Sequence, residues 1–317
     1  MFQCLAKQFC ALLLSVLTGA AFAAQDDQPI DVVASFSILA DMVKQVGGSD
    51  VRVYSLVGPD SDSHVFNPTP NDAKALAKAD LVVINGLGFE GWMKRLVQAS
   101  GFKGPVVVAS AGVETLEQEE DHHGHDHGKD HDKHDHDDGH EGKVDPHAWQ
   151  DLRNARIYVA NIRDALVKLR PENRDMIEQR AQSYIQEMEM LDAKLRSEFS
   201  SIPAERRKAI VSHDAFGYLA HAYDIDLIPV QGWTTGREAS AADIAKLIRL
   251  IRDGKVHAYF VENMSDPRVL QRIASESGAL PGGKLYSDAL SAPGTEADTY
   301  LKMYEVNARR ILDALNK

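Results

Sequence analysis

The chain predicts an α/β protein of two lobes, each a roughly four-stranded parallel sheet flanked by helices, joined by a long backbone helix. Three observations carry this. Apolar, β-branched runs alternate with helical patterns, about four such units in each half of the 317 residues, and that length is enough for two domains. The apolar runs are near-continuous, which marks strands buried on both faces and hence parallel pairing. Between the halves lies one helical pattern much longer than the rest.

The first strand is IDVVASF (30–36), leading into a helix over ILADMVKQVG that Gly47 and Gly48 close. Strand VRVYSLV (51–57) follows, then a loop (58–70) and a helix over 71–79 with Asn71 as its N-cap. Next come strand LVVING (81–86), a helix over 89–100 and strand PVVVAS (105–110). After an insertion (117–143), a helix over 154–169 ends the first lobe, residues 24–170. Pro171 suits a first helical turn, so the long helix is read as 171–200. At 1.5 Å per residue it spans roughly 42 Å. That suits a strut between lobes, with packing inside one lobe as the competing reading. The second lobe, 201–317, repeats the alternation: strands 208–213, 226–232, 257–262 and 284–290, helices 215–223, 241–254, 266–278 and 299–316.

Residues 1–23 read as a secretory signal. Lys7 precedes the apolar run ALLLSVLTGAAF, and Ala21-Phe22-Ala23 is an A-x-A cleavage site before the polar Gln25-Asp26-Asp27. An uncleaved anchor is the competing reading, but the run is short for a span. Both cysteines, Cys4 and Cys10, lie in this segment, and no lipid-anchor cysteine stands near the cleavage point. The exported chain therefore has no disulfide framework and no thiolate ligands. The composition is 44% hydrophobic and 26% charged, with a net charge of −12. No basic patch exists to neutralise phosphates, which argues against a nucleic-acid partner. A cation is the natural one.

Between Asp121 and His140 the chain carries eight of its thirteen histidines, His122, His123, His125, His127, His131, His134, His136 and His140, among acids and glycines. Imidazole suits zinc, copper, nickel and iron, whereas calcium and magnesium take oxygen ligands. Such a run has almost no apolar residues and cannot offset its own ordering entropy. It is read as a flexible, weaker metal collector, with a solvated linker as the alternative. A specific site needs ligands held by a fold, and in parallel sheets ligands bind beyond the carboxyl ends of the strands. Four residues stand there: His64 after the second strand, His147 after the histidine run, His213 ending KAIVSH, and Asp288 ending KLYSD. Three imidazoles and a carboxylate make a competent four-coordinate zinc site. Each also has a bland reading as a solvated loop, turn, helix-entry or capping residue. His221, mid-helix, and His257, at the far end of a strand, are read as structural. Glu262 and Asp214 are candidates for orienting an imidazole.

These residues carry a family resemblance. HVFNPTPND (64–72) resembles the first ligand loop of metal-specific periplasmic solute-binding proteins of ABC importers. DPHAWQD, VSHDAFGYLAHAY and LYSDALS are similar to the family's second, third and fourth ligand motifs, and VVASFSILADMVKQVGG to its opening βα unit. The resemblance covers nearly the whole mature chain. It implies an interlobe metal site, docking on an inner-membrane permease with its ATPase, and no enzymatic activity. His213 at the third position, where manganese and iron members tend to carry Glu, implies zinc, as does the His-rich insertion. Ser63 departs from the family's usual Pro or Ala, and the second-lobe disulfide of several zinc-uptake members has no counterpart here. The expectation is a monomeric periplasmic protein that captures Zn2+ and delivers it, with a periplasmic zinc donor as a possible partner. Alternatives are a manganese or iron carrier, an exported zinc buffer or chaperone, and a zinc hydrolase. The last is disfavoured because there is no H-E-x-x-H pattern.

Overall fold

The computed structural model describes residues 28–117 and 144–317, apart from 233–234, 236–240, 254–255 and 257. Residues 1–23, expected as a secretory signal, the histidine run and His257 lie outside the described residues.

The first lobe runs β1 (Ile30–Phe36), α1 (Ser37–Gly47), β2 (Val51–Val57), α2 (Pro70–Lys78), β3 (Leu81–Ile84), α3 (Met93–Ser100) and β4 (Val106–Val108). Two helices follow, α4 (Leu152–Leu169) and α5 (Arg174–Ser200). The second lobe runs β5 (Lys208–His213), α6 (Gly217–Tyr223), β6 (Asp226–Gln231), α7 (Ala241–Arg252), β7 (Ala258–Glu262), α8 (Arg268–Ser277), β8 (Leu280–Leu285) and α9 (Tyr300–Leu315). Both sheets are parallel and four-stranded, ordered β2-β1-β3-β4 and β6-β5-β7-β8. The same order twice means that each lobe switches winding direction beside its first strand, where a crevice opens at the carboxyl ends.

The fold class is the one read from the sequence; several boundaries move for physical reasons. Thr69, not Asn71, caps α2: its hydroxyl accepts the Asp72 N–H while Asp72 accepts the Thr69 N–H at 2.7 Å, a reciprocal capping box. Pro70 then occupies the first turn, where its missing N–H costs nothing. The last strand is Leu280–Leu285 rather than 284–290. Pro281, Gly282 and Gly283 read as punctuation, but they lie in an edge strand, where proline is tolerated. A Cβ on Gly282 would sit 2.3 Å from the Phe260 ring, so only glycine lets β8 approach β7. Asp288 thus lies in the loop beyond the strand. Pro171 belongs to a short 3-10 turn, Pro171–Asn173, ahead of the long helix.

Helix α5 has 27 residues, about 40 Å of rise. It packs against α1 and α4 of the first lobe and α6 and α9 of the second, so it braces both lobes. Its inward stripe is Ile177, Ala181, Tyr184, Met188, Leu195 and Phe199. One hydrophobic core runs through both lobes, and a smaller second core lies beneath α7 and α8. Among the described residues no helix is long and apolar enough to cross a membrane.

Candidate metal centre

The candidate side chains are delivered by loops or by a strand's last residue, and the three histidines are set by specific neighbours. His64 lies between β2 and α2. Its backbone N–H donates to Asp62 at 2.8 Å, and the Trp92 indole donates to the carbonyl of Ser63 at 2.9 Å. His147 follows the insertion. The Asp145 carboxylate accepts its N–H at 2.9 Å and lies 2.7 Å from its Nδ1. Asp145 therefore fixes both backbone and ring. The Asn85 amide, at the end of β3, donates to the Pro146 carbonyl at 2.9 Å, and the Tyr158 hydroxyl donates to Asn85 Oδ1 at 2.6 Å. His213 is the last residue of β5, with Glu262 Oε2 2.6 Å from its Nδ1.

The fold brings the four together: one ligand atom from each of His64, His147, His213 and Asp288 lies within 4.8 Å of the others. Nε2 of His64 and of His213 stand 3.1 and 3.2 Å from Asp288 Oδ2, and His147 Nε2 stands 3.6 Å from Oδ1. The Nε2 atoms of His64 and His147 are 3.4 Å apart. The side chains of His147, His213 and Asp288 are wholly buried, and that of His64 is 4% exposed. Neither Asp288 oxygen accepts an aligned hydrogen bond. Buried polar atoms are normally satisfied; here the lone pairs converge on a common point instead. Two of the imidazoles have Nδ1 backed by a carboxylate, which leaves Nε2 as the coordinating atom. Phe89 lies edge-on to His64 at 4.9 Å, and Trp149 lies 5.3 Å from the His147 ring, walling one side with aromatic surface.

The charges are mutually adjusted. Burial opposes a charge on His213, but the Glu262 and Asp288 carboxylates outweigh it and hold its pKa well above the ordinary value. Burial also opposes the Asp288 charge, but His147 and His213 keep its carboxyl well below the usual range. A buried, pre-ordered nest of three imidazole nitrogens and one carboxylate is a divalent-cation donor set.

The other sequence candidates fall elsewhere. His221 is exposed on α6, away from the group. Glu262 stands against the His213 ring, whereas the Asp214 N–H donates to Gly232 at 3.4 Å. The eight histidines of the insertion are outside the described residues. Sequence reading missed Asp145, whose two-residue spacing before His147 is the signature of a side chain closing on its own backbone. It also missed Asn85, Phe89 and Trp149 as supports, for which no local signal exists.

The model of the zinc-uptake complex component A family, periplasmic, matches residues 32–314. The chain belongs to that family. Its members are metal-binding components of ABC importers rather than enzymes, which sets the hydrolase reading aside. Family relatives divide by the metal in their names. The zinc-binding protein TroA of Treponema pallidum is 32% identical over 317 residues, 96% of this chain and 97% of its own. The manganese ABC transporter substrate-binding lipoprotein PsaA of Streptococcus pneumoniae is 30% identical over 318 residues, 98% and 97% of the two chains. Among solved structures, the periplasmic zinc-binding protein TroA matches with a TM-score of 0.80 and 31% identity, covering 91% of this chain and 99% of that one. The Mn-bound periplasmic metal-binding protein of Candidatus Liberibacter asiaticus matches with a TM-score of 0.76 and 28% identity, covering 90% and 99%.

Proposed function

We propose that this member of the family captures Zn2+ with His64, His147, His213 and Asp288 and delivers it to the permease of an ABC importer. The observation that supports this most directly is the convergence of three Nε2 atoms and one carboxylate in a buried, pre-ordered cluster. Zinc is favoured over manganese by the donor set: three neutral nitrogens and one oxygen suit tetrahedral zinc, while manganese prefers a richer oxygen shell. The protein acts in the periplasm as a monomer after removal of residues 1–23, with lobe limits at 24–170 and 201–317. The run 121–140 serves as an accessory collector that passes ions inward, and a periplasmic zinc donor can feed it. Manganese is the second reading, supported by the manganese names among relatives of similar identity.

Competitive titration with zinc and manganese decides between them. The wild type should prefer zinc, His213→Ala should lose the tight site, and His213→Glu should move the preference toward manganese by about tenfold or more. A manganese preference in the wild type, or no effect of His213→Ala, would overturn the proposal. Removing 121–140 should leave one tight zinc site; loss of tight binding would show that the run is not an accessory. Lost zinc uptake in a strain lacking the gene, restored by the wild type, separates import from buffering.

A further inference from the structure

A second layer of buried polar groups joins the supports of the candidate ligands to one another. Glu262, at the end of β7, is 2% exposed. Its Oε2 is 2.6 Å from His213 Nδ1, and its Oε1 accepts the His213 N–H at 3.0 Å. The same Oε2 accepts the hydroxyl of Ser287 at 2.5 Å. Ser287 immediately precedes Asp288, and its carbonyl accepts two bonds from the residues just after His147: Trp149 Nε1 at 3.0 Å and Gln150 Nε2 at 2.8 Å. The path therefore runs from His213 through Glu262 and Ser287 to the segments bearing Asp288 and His147. It crosses from one lobe to the other without using the metal.

We infer that Glu262 and Ser287 are positioning residues that make His147, His213 and Asp288 one mechanical unit and so set how tightly, and how abruptly, the site holds its ion. The inference rests on the proposed ligand set. Glu262 does not itself coordinate: it occupies Nδ1 of His213, while Nε2 on the opposite side of the ring faces Asp288. Both of its oxygens are engaged, and its role is to fix the ring's rotation and tautomer. Ser287 works by both ends. Its hydroxyl holds the carboxylate that orients His213, and its carbonyl is clamped by the His147 segment. Moving any one of the three segments displaces the other two, so the ion is released when the whole unit shifts rather than by loss of one ligand at a time.

The test is a double-mutant cycle on the full chain, read by zinc competition and by the visible absorption of bound Co2+. Glu262→Gln in one arm, and Trp149→Phe together with Gln150→Met in the other, which removes both donors to the Ser287 carbonyl, should each weaken zinc by about 10- to 100-fold. The variant combining both arms should be no weaker than the poorer arm by more than about twofold, because losing either Glu262 or both donors to the Ser287 carbonyl already breaks the path. Glu262→Gln should also alter the Co2+ band pattern, which a purely structural role leaves intact. Losses that multiply, or a Glu262→Gln variant with wild-type zinc affinity and Co2+ spectrum, would overturn the inference. If Glu262→Gln does not fold, Ser287→Ala removes only the hydroxyl and should cost about tenfold; unchanged affinity there would overturn it too. A His213→Ala variant that binds zinc like the wild type would instead bring down the ligand assignment beneath both ideas.

Discussion

Ion capture at neutral pH should expel a proton from His213. In the metal-free protein this ring lies between Glu262 at 2.6 Å and Asp288 at 3.2 Å, and their charges hold its pKa well above 6.5 against the opposing effect of burial. These carboxylates therefore favour the protonated ring, with a hydrogen on both nitrogens. A coordinating nitrogen must be bare, so the ion displaces the Nε2 proton, while Nδ1 stays beside the Glu262 carboxylate at 2.6 Å. Asp288, held well below 3.8, has no proton to give. The apparent zinc affinity should accordingly fall about tenfold for each pH unit lowered below the His213 pKa, about 1.4 kcal/mol per unit. Calorimetric titration at pH 7 in two buffers of different ionisation enthalpy counts the protons directly. Net proton release is expected. Zero protons, or an affinity flat between pH 6 and 7.5, would refute the reasoning. The same shifts fix the pH profile of the metal-free fold. The His213 contribution is complete below about pH 6.5 and is lost as pH rises through its elevated pKa; the Asp288 contribution is complete above about pH 3.8 and is lost as pH falls through its lowered one. Metal-free stability should peak between these limits, as thermal melts across pH will register.

Other substitutions probe the supports. A Cβ at position 217 would stand 2.7 Å from Asp145 Oδ2, so Gly217→Ala should push the carboxylate off His147. Zinc affinity should then drop about tenfold although no candidate ligand is altered; isothermal titration giving the wild-type value would contradict this. Trp149→Phe keeps the aromatic wall but removes the donor to the Ser287 carbonyl, and chemical denaturation should show a loss of about 1–2 kcal/mol. Thr69→Ala breaks the capping box of α2 and should cost about 1 kcal/mol in the same experiment, leaving zinc affinity untouched because the box lies outside the cluster.

The sequence carried the architecture because buried parallel strands announce themselves as unbroken apolar runs and helices as periodic ones. Positions at the ends of those runs led to His64, His147, His213 and Asp288, and the fold gathers all four within 4.8 Å. What stayed hidden was set by distant contacts. Gly282 looks like a turn until Phe260 is known to press against it. Asn85 reads as the end of a strand, yet it bolts β3 to the loop carrying His147. Glu262 was legible only as one of two candidate partners for His213. Which of the two reaches Nδ1 depends on β7 lying beside β5, a pairing that no local pattern encodes.

The strand β5 is a seam. Ala209 and Val211 lie in the core shared by both lobes, while Ile210 packs into the smaller core with Val230, Ile251, Leu270 and Ile273. The outer layer of α7 and α8 thus packs on its own small core, and such a layer should open more readily than the scaffold around α5. Its amides should exchange with solvent earlier than those of α1, α4 or α9. One strand of that core ends in a candidate ligand. A displacement of the outer layer would therefore reach His213 through β5 and, by way of Glu262 and Ser287, the segments bearing Asp288 and His147.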